Sequence, residues 1–103
     1  MDEDTFFREL EQLPMKGWKA LLQDSGEIRL THPTWVRGAI PPYCPVTAVC
    51  AQRIGRRHGN DRYRIAARRL ELEQEFADQV AMAADGRRCG ALRERLLKCL
   101  HLI

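Results

Sequence analysis

Residues 43–55 read Tyr43-Cys44-Pro45-Val46-Thr47-Ala48-Val49-Cys50-Ala51-Gln52-Arg53-Ile54-Gly55, YCPVTAVCAQRIG. Proline suits the first position of a helix, where a missing N–H costs nothing. Glycine suits the stop. Between Pro45 and Gly55 only Arg53 is charged. A helix this neutral has no face for water, so the remainder of the chain has to wrap it.

Upstream, a helix is expected over about residues 3–13. Phe6, Phe7, Leu10 and Leu13 recur at helical spacing, acidic residues crowd the first turn, and Pro14 stops it. Trp18-Lys19-Ala20-Leu21-Leu22 and Glu27-Ile28-Arg29-Leu30-Thr31 flank Asp24-Ser25-Gly26. Ile28 and Leu30 alternate with polar neighbours, and Asp-Ser-Gly is turn chemistry, so the pair reads as a β-hairpin. A lone hairpin is marginal in water and must lie on the helices. Residues 32–43 hold Pro33, Gly38, Pro41 and Pro42 and read as an ordered loop, with Trp35 and Val36 as its anchors.

Downstream, Asn60 or Asp61 is positioned to cap a helix at about 61–70. Tyr63, Ala66, Ala67 and Leu70 form its buried stripe. A further helix is expected over about 73–85, with Leu72, Phe76, Val80, Ala83 and Ala84 inward. Glu71-Leu72 is only a weak break between the two. A last helix is expected over about 90–101, with Leu92, Leu96, Cys99, Leu100 and Ile103 on one side and Arg93, Arg95 and Lys98 pointing elsewhere. The fold class is therefore α+β: a small single domain over 1–103, mostly helical, with one N-terminal β-hairpin packed on about five helices.

The totals bound the function. A chain of 103 residues, 45% hydrophobic and 30% charged, builds one modest core. No apolar run approaches the roughly 20 residues of a membrane helix. The start, Met1-Asp2-Glu3-Asp4, is acidic where a signal peptide is basic, so the expectation is a cytoplasmic protein with no membrane partner and reduced cysteines. The net charge of +3 is unevenly spread. Near the start Asp2, Glu3, Asp4, Glu9 and Glu11 face only Arg8 and Lys16. In residues 53–69, Arg53, Arg56, Arg57, Arg62, Arg64, Arg68 and Arg69 oppose a single Asp61. Guanidinium forks suit carboxylate, phosphate or aromatic partners; a merely solvated face is the plainer reading.

Trp18, Gly26, Ile28-Arg29, then Cys44-Pro45-Val46-Thr47-Ala48-Val49, then Ala66-Ala67 and Leu72, then Ala83-Ala84-Asp85-Gly86, then Leu92-Arg93 and Leu96-Leu97 follow one another along the chain. This order resembles a class of short bacterial and phage-borne open reading frames with a CPITAV-like run, an AAD run and an LRxxLL tail. The resemblance covers most of residues 18–97 and implies element boundaries, with no activity. Members of that class usually carry glycine where this chain has Glu71, a departure that bears on the break between the two middle helices. In size and style the chain is also similar to small phage inhibitors of bacterial defence, including anti-CRISPR proteins.

Cys44 at a helix start could be a nucleophile, because the helix dipole and unpaired N–H groups favour thiolate. "CPVTAVCAQRIG" is loosely similar to the cysteine turn of papain-like and C39-like peptidases. That chemistry needs a histidine base. His101 lies in the tail, His58 lies at the far end of the same helix, and only His32 is placed to reach. The plainer reading is a capping thiol packed against Tyr43 and Trp35. For a metal, Cys44-x5-Cys50 and Cys89-x9-Cys99 lack structural-zinc spacing. Residues six apart on a helix point about 240° apart. Cys50 and Cys99 read as small hydrophobes and Cys89 as the exposed thiol. No catalytic residue, metal ligand or cofactor is assigned.

Ile65 lands opposite the buried stripe of its helix, ringed by Arg62, Arg64, Arg68 and Arg69. An apolar centre with a charged rim is the anatomy of a protein-binding spot. The competing placement puts Ile65 under the N-terminal helix, whose acids would pair with those arginines. The reading carried forward is a non-enzymatic protein-binding module. Its expected contact set is Arg57, Arg62, Arg64, Ile65, Arg68 and Arg69. It would act as a monomer or homodimer by occupying a surface on a larger protein or ribonucleoprotein, in the most concrete form a phage-type inhibitor of a CRISPR-Cas complex. The alternative is a nucleic-acid-binding regulator using the same arginines. The third reading is a cysteine hydrolase using Cys44.

Overall fold

The computed structural model describes residues 1–34, 44–86 and 90–103. The expected anchoring by Trp35 and Val36, their packing and that of Tyr43 on Cys44, and the exposure of Cys89 lie outside the described residues.

Helix α1 spans Glu3–Gln12. It begins where Asp2 accepts the Thr5 N–H at 2.7 Å, which satisfies one of the first-turn donors. Phe6, Phe7 and Leu10 are its buried face. Pro14 ends it through a short 3-10 turn, and Gly17, at φ 98°, reverses the chain so that the Trp18 N–H reaches the Leu13 carbonyl at 3.0 Å.

Strands β1, Lys19–Leu22, and β2, Ile28–Thr31, pair antiparallel with Ala20 opposite Leu30 and Leu22 opposite Ile28. Gln23 accepts the Gly26 N–H at 2.8 Å and donates to the Glu27 carbonyl at 2.9 Å. That is a three-residue loop with glycine at the left-handed position, φ 87°. Ile28 and Leu30 face the core.

Helix α2 spans Pro45–Ile54, and every residue from Pro45 to Ala51 is buried. Thr47, the buried polar residue of this run, donates to the Asp61 carbonyl at 2.9 Å, so it carries no desolvation penalty. Around α2 lie α1, β2, α3 (Tyr63–Arg69) and α4 (Gln74–Ala84), and the wrapped neutral rod expected from the sequence is what forms. Helix α5, Gly90–Cys99, closes the bundle against α1 and α4. The core joins residues of every helix and of β2, with Ala20 of β1 packed against it, so among the described residues the α+β, mostly helical domain with one hairpin and five helices is the observed fold. Phe6, Phe7 and Phe76 meet edge to face, with centroids 5.5 to 5.9 Å apart.

Three local expectations are corrected. The third helix starts at Tyr63, with Arg62 at its N-cap and no side-chain cap, because the Asp61 carboxylate is engaged elsewhere. Ile103 lies beyond α5 and is 67% exposed. Arg93 turns inward: it donates to the Ala83 carbonyl at 2.5 Å and the Gly26 carbonyl at 2.6 Å, tying the end of α4 to the hairpin loop. Gly86 sits directly against that loop, where a β-carbon would come within 3.3 Å of the Gly26 oxygen.

Helices α3 and α4 are separate. Glu71 adopts φ 54°; its N–H reaches the Arg68 carbonyl and the Leu72 N–H reaches the Ala67 carbonyl at 2.8 Å. This is a Schellman stop with glutamate in the left-handed position that glycine fills without strain. His101, at φ 57°, ends α5 in the same way.

Candidate interaction surface on the third helix

Helix α3 has two faces with different work. Ala66 and Ala67 are fully buried, and small residues there let the backbone approach α2 and α4 closely. On the other side Ile65 is 42% exposed. Arg62 precedes it by three positions, and Arg68 and Arg69 follow it by three and four, so all three are its neighbours on the helix surface.

The placement of Ile65 beneath α1 is overturned. Helix α1 packs on α2 and α5, and two of its four acids pair there: Glu9 accepts from Arg53 at 2.6 Å and Asp4 from Arg95 at 3.4 Å. Arg95 also lies over the Phe7 ring, 3.8 Å from its centroid.

The structure sorts the arginines. Arg64 is held bidentately by Asp78, Nε to Oδ1 at 3.2 Å and Nη2 to Oδ2 at 3.0 Å. The Tyr63 hydroxyl donates to the same Oδ1 at 2.8 Å. The Tyr63 hydroxyl first, then the Arg64 guanidinium, hold the Asp78 carboxyl below the ordinary aspartate range. Arg69 Nε donates to Asp61 Oδ2 at 2.9 Å. Arg57 Nε donates to His58 Nε2 at 3.0 Å, which makes that nitrogen an acceptor and leaves Nδ1–H to face Asp61 at 3.2 Å. Among the described residues no ion pair engages Arg56, Arg62 or Arg68, and all three are exposed. Arg64 and Arg69 are thus fixed in direction while still presenting guanidinium to solvent; among the described residues no side chain holds Arg62 or Arg68.

Cys44 stands at the N-cap of α2. Burial, above all, pushes its thiol up to about 11, and the Asp85 charge adds to this, whereas the Val46 and Thr47 amides pull the other way. No imidazole acts on it among the described residues. His32 instead bonds Thr34 through Nδ1 at 2.8 Å and meets Trp18 edge-on at 5.1 Å. Burial also raises Cys50 and Cys99. The dominant form at neutral pH is the thiol, a poor nucleophile.

The tethering of Arg64 and Arg69 is what sequence reasoning missed. Asp61 and Asp78 carry the signal, as acids placed amid or near an arginine run, but only tertiary structure shows which arginine each takes. Compared with known protein families, curated proteins and solved structures, the chain matches none.

Proposed function

We propose that this protein is a non-enzymatic protein-binding module that docks on an acidic surface of a larger protein or ribonucleoprotein through the outer face of α3. The observation that carries this reading is Ile65, 42% exposed between Arg62 and Arg68, with Glu9 and Asp4 of α1 engaged at Arg53 and Arg95. Ile65 supplies the apolar centre and its neighbours the charged rim. Arg64 and Arg69, held by Asp78 and Asp61, lose less side-chain freedom on binding than untethered arginines. Arg57, turned onto His58, sits at the margin of the set. A phage-type inhibitor of a CRISPR-Cas complex is the concrete version, and its support is chain size and style alone.

Affinity capture from lysate of the source cells, with mass-spectrometric identification, tests the reading. Ile65→Asp and Arg68→Glu are expected to lose the captured partner while unfolding at the wild-type temperature. Met15→Asp, at a site 85% exposed on another element, is expected to keep it. Capture that survives Ile65→Asp in folded protein sinks the proposal. The nucleic-acid alternative draws on Arg56, Arg62 and Arg68, which have no acid partner among the described residues. It predicts binding to random duplex DNA at low salt that weakens steeply as salt rises. Absence of that binding removes it.

A further inference from the structure

The two strands of the hairpin differ in exposure. On β2, Ile28 and Leu30 are 3% and 0% exposed, whereas on β1 Leu21 and Leu22, on opposite faces of the strand, are 45% and 46% exposed. Gln23 directs both its N–H and its C=O at the β2 side. With the register unbroken from Leu22–Ile28 to Lys19–Thr31, the backbone groups of Leu22 and Ala20 therefore point away from β2. Among the described residues nothing bonds them. Natural edge strands are protected by proline, a bulge or an inward charge. Lys19-Ala20-Leu21-Leu22 has none of these; its protection is its four-residue length and the single charge of Lys19 at its first position.

We propose that the free edge of β1 is a homodimerisation strand, pairing antiparallel with β1 of a second copy across a twofold axis to make a four-stranded sheet. The occupant follows from how the edge matches itself. Setting Ala20 opposite Leu22 of the second copy gives every outward N–H and C=O of both residues a partner, in two narrow pairs related by symmetry. A small side chain then faces a large one, twice. Leu21 meets its own symmetry mate on the axis. Lys19 falls opposite Gln23 and beside Asp24 of the second copy; among the described residues neither Lys19 nor Asp24 has an ion pair within the protomer. The charges at the two ends of the junction are thus complementary. The pairing also relieves the hairpin's own weakness, since two strands alone are marginal and four are not. This surface is built from β1 and does not rest on the reading of α3.

An edge of four residues is shorter than the strand pairings inside a standard interface of about 1,600 Å². The dimer is accordingly weak and concentration-dependent. Sedimentation velocity from micromolar to millimolar protein tests it. Wild type is expected to pass from monomer to dimer over that range. Leu22→Pro removes an outward N–H and no bond of the β1–β2 ladder. Leu21→Lys, at an exposed position, sets like charges against each other on the axis. Each is expected to weaken dimerisation about tenfold or more, with circular dichroism unchanged. Wild-type protein that stays monomeric throughout overturns the proposal and leaves the edge to an extended segment of another protein. A dimer undiminished by Leu21→Lys overturns it as well, and that variant decides the matter where Leu22→Pro disturbs folding.

Discussion

Helices α2 and α3 are consecutive in the chain and opposite in character. The first buries every residue from Pro45 to Ala51; the second buries only its alanines and presents Ile65 and its arginines outward. From Pro45 to Ala51 each side chain of α2 is answerable to packing, so the chemistry of that stretch is spent on stability. In α3 packing takes one narrow stripe and leaves the opposite face free. The lesson is that reactive-looking residue types and available surface need not coincide. Cys44 has the more suggestive sequence context, yet burial keeps its thiol protonated. Ile65, which helical spacing already sets among arginines, is one of the large apolar residues the fold leaves partly exposed.

The sharpest way to break the contrast is to place the same charge on each helix. Val49→Asp sets a carboxylate at a fully buried position, with an expected loss of about 3–5 kcal/mol. That is comparable to the whole stability of a small domain, so cooperative thermal unfolding should vanish or shift far downward. Ile65→Asp should stay within about 0.5 kcal/mol of wild type in denaturant unfolding. If the two variants lose similar stability, Ile65 is a core residue and the distinction between the helices collapses.

A smaller effect is expected where α3 ends. Glu71 occupies a left-handed conformation, so Glu71→Gly should raise stability by about 0.5–1 kcal/mol, read as a higher denaturant midpoint at unchanged slope. A decrease would mean that the glutamate side chain does work the turn geometry does not reveal.

The smallest effect concerns acid. The Asp78 carboxyl, held below its ordinary range by Tyr63 and Arg64, contributes stability that is present above the unfolded aspartate value and lost as pH falls through its folded value. Asp78→Asn should therefore be less stable than wild type at neutral pH, and the gap should close in acid. A gap constant across that range would show that the Tyr63–Asp78–Arg64 contact carries no net charge-linked stability.

Much of this was legible along the chain. Pro14, Gly26, Pro45 and Gly55 punctuate the elements because each acts through its own backbone, which needs no knowledge of neighbours. The exposed face of α3 was legible for a similar reason: helical geometry alone puts Ile65 opposite Ala66, Ala67 and Leu70. The sequence offers Asn60 or Asp61 as a cap, but the Asp61 carboxylate is claimed by Arg69 and His58, a competition that only the folded chain creates. Charge alone places Arg93 outward. Yet it shares its face with Leu96, Leu97 and Leu100 at helical spacing, so the pattern held the inward signal and the charge obscured it.

The Arg93 clamp has a consequence for the order in which the molecule comes together. Its bond to Gly26 joins residues 67 apart in sequence. Contacts so remote are entropically slow to close. The hairpin gains this fastening only once the last helix has docked, so a chain lacking that helix carries its β1 edge with the turn beside it unfastened.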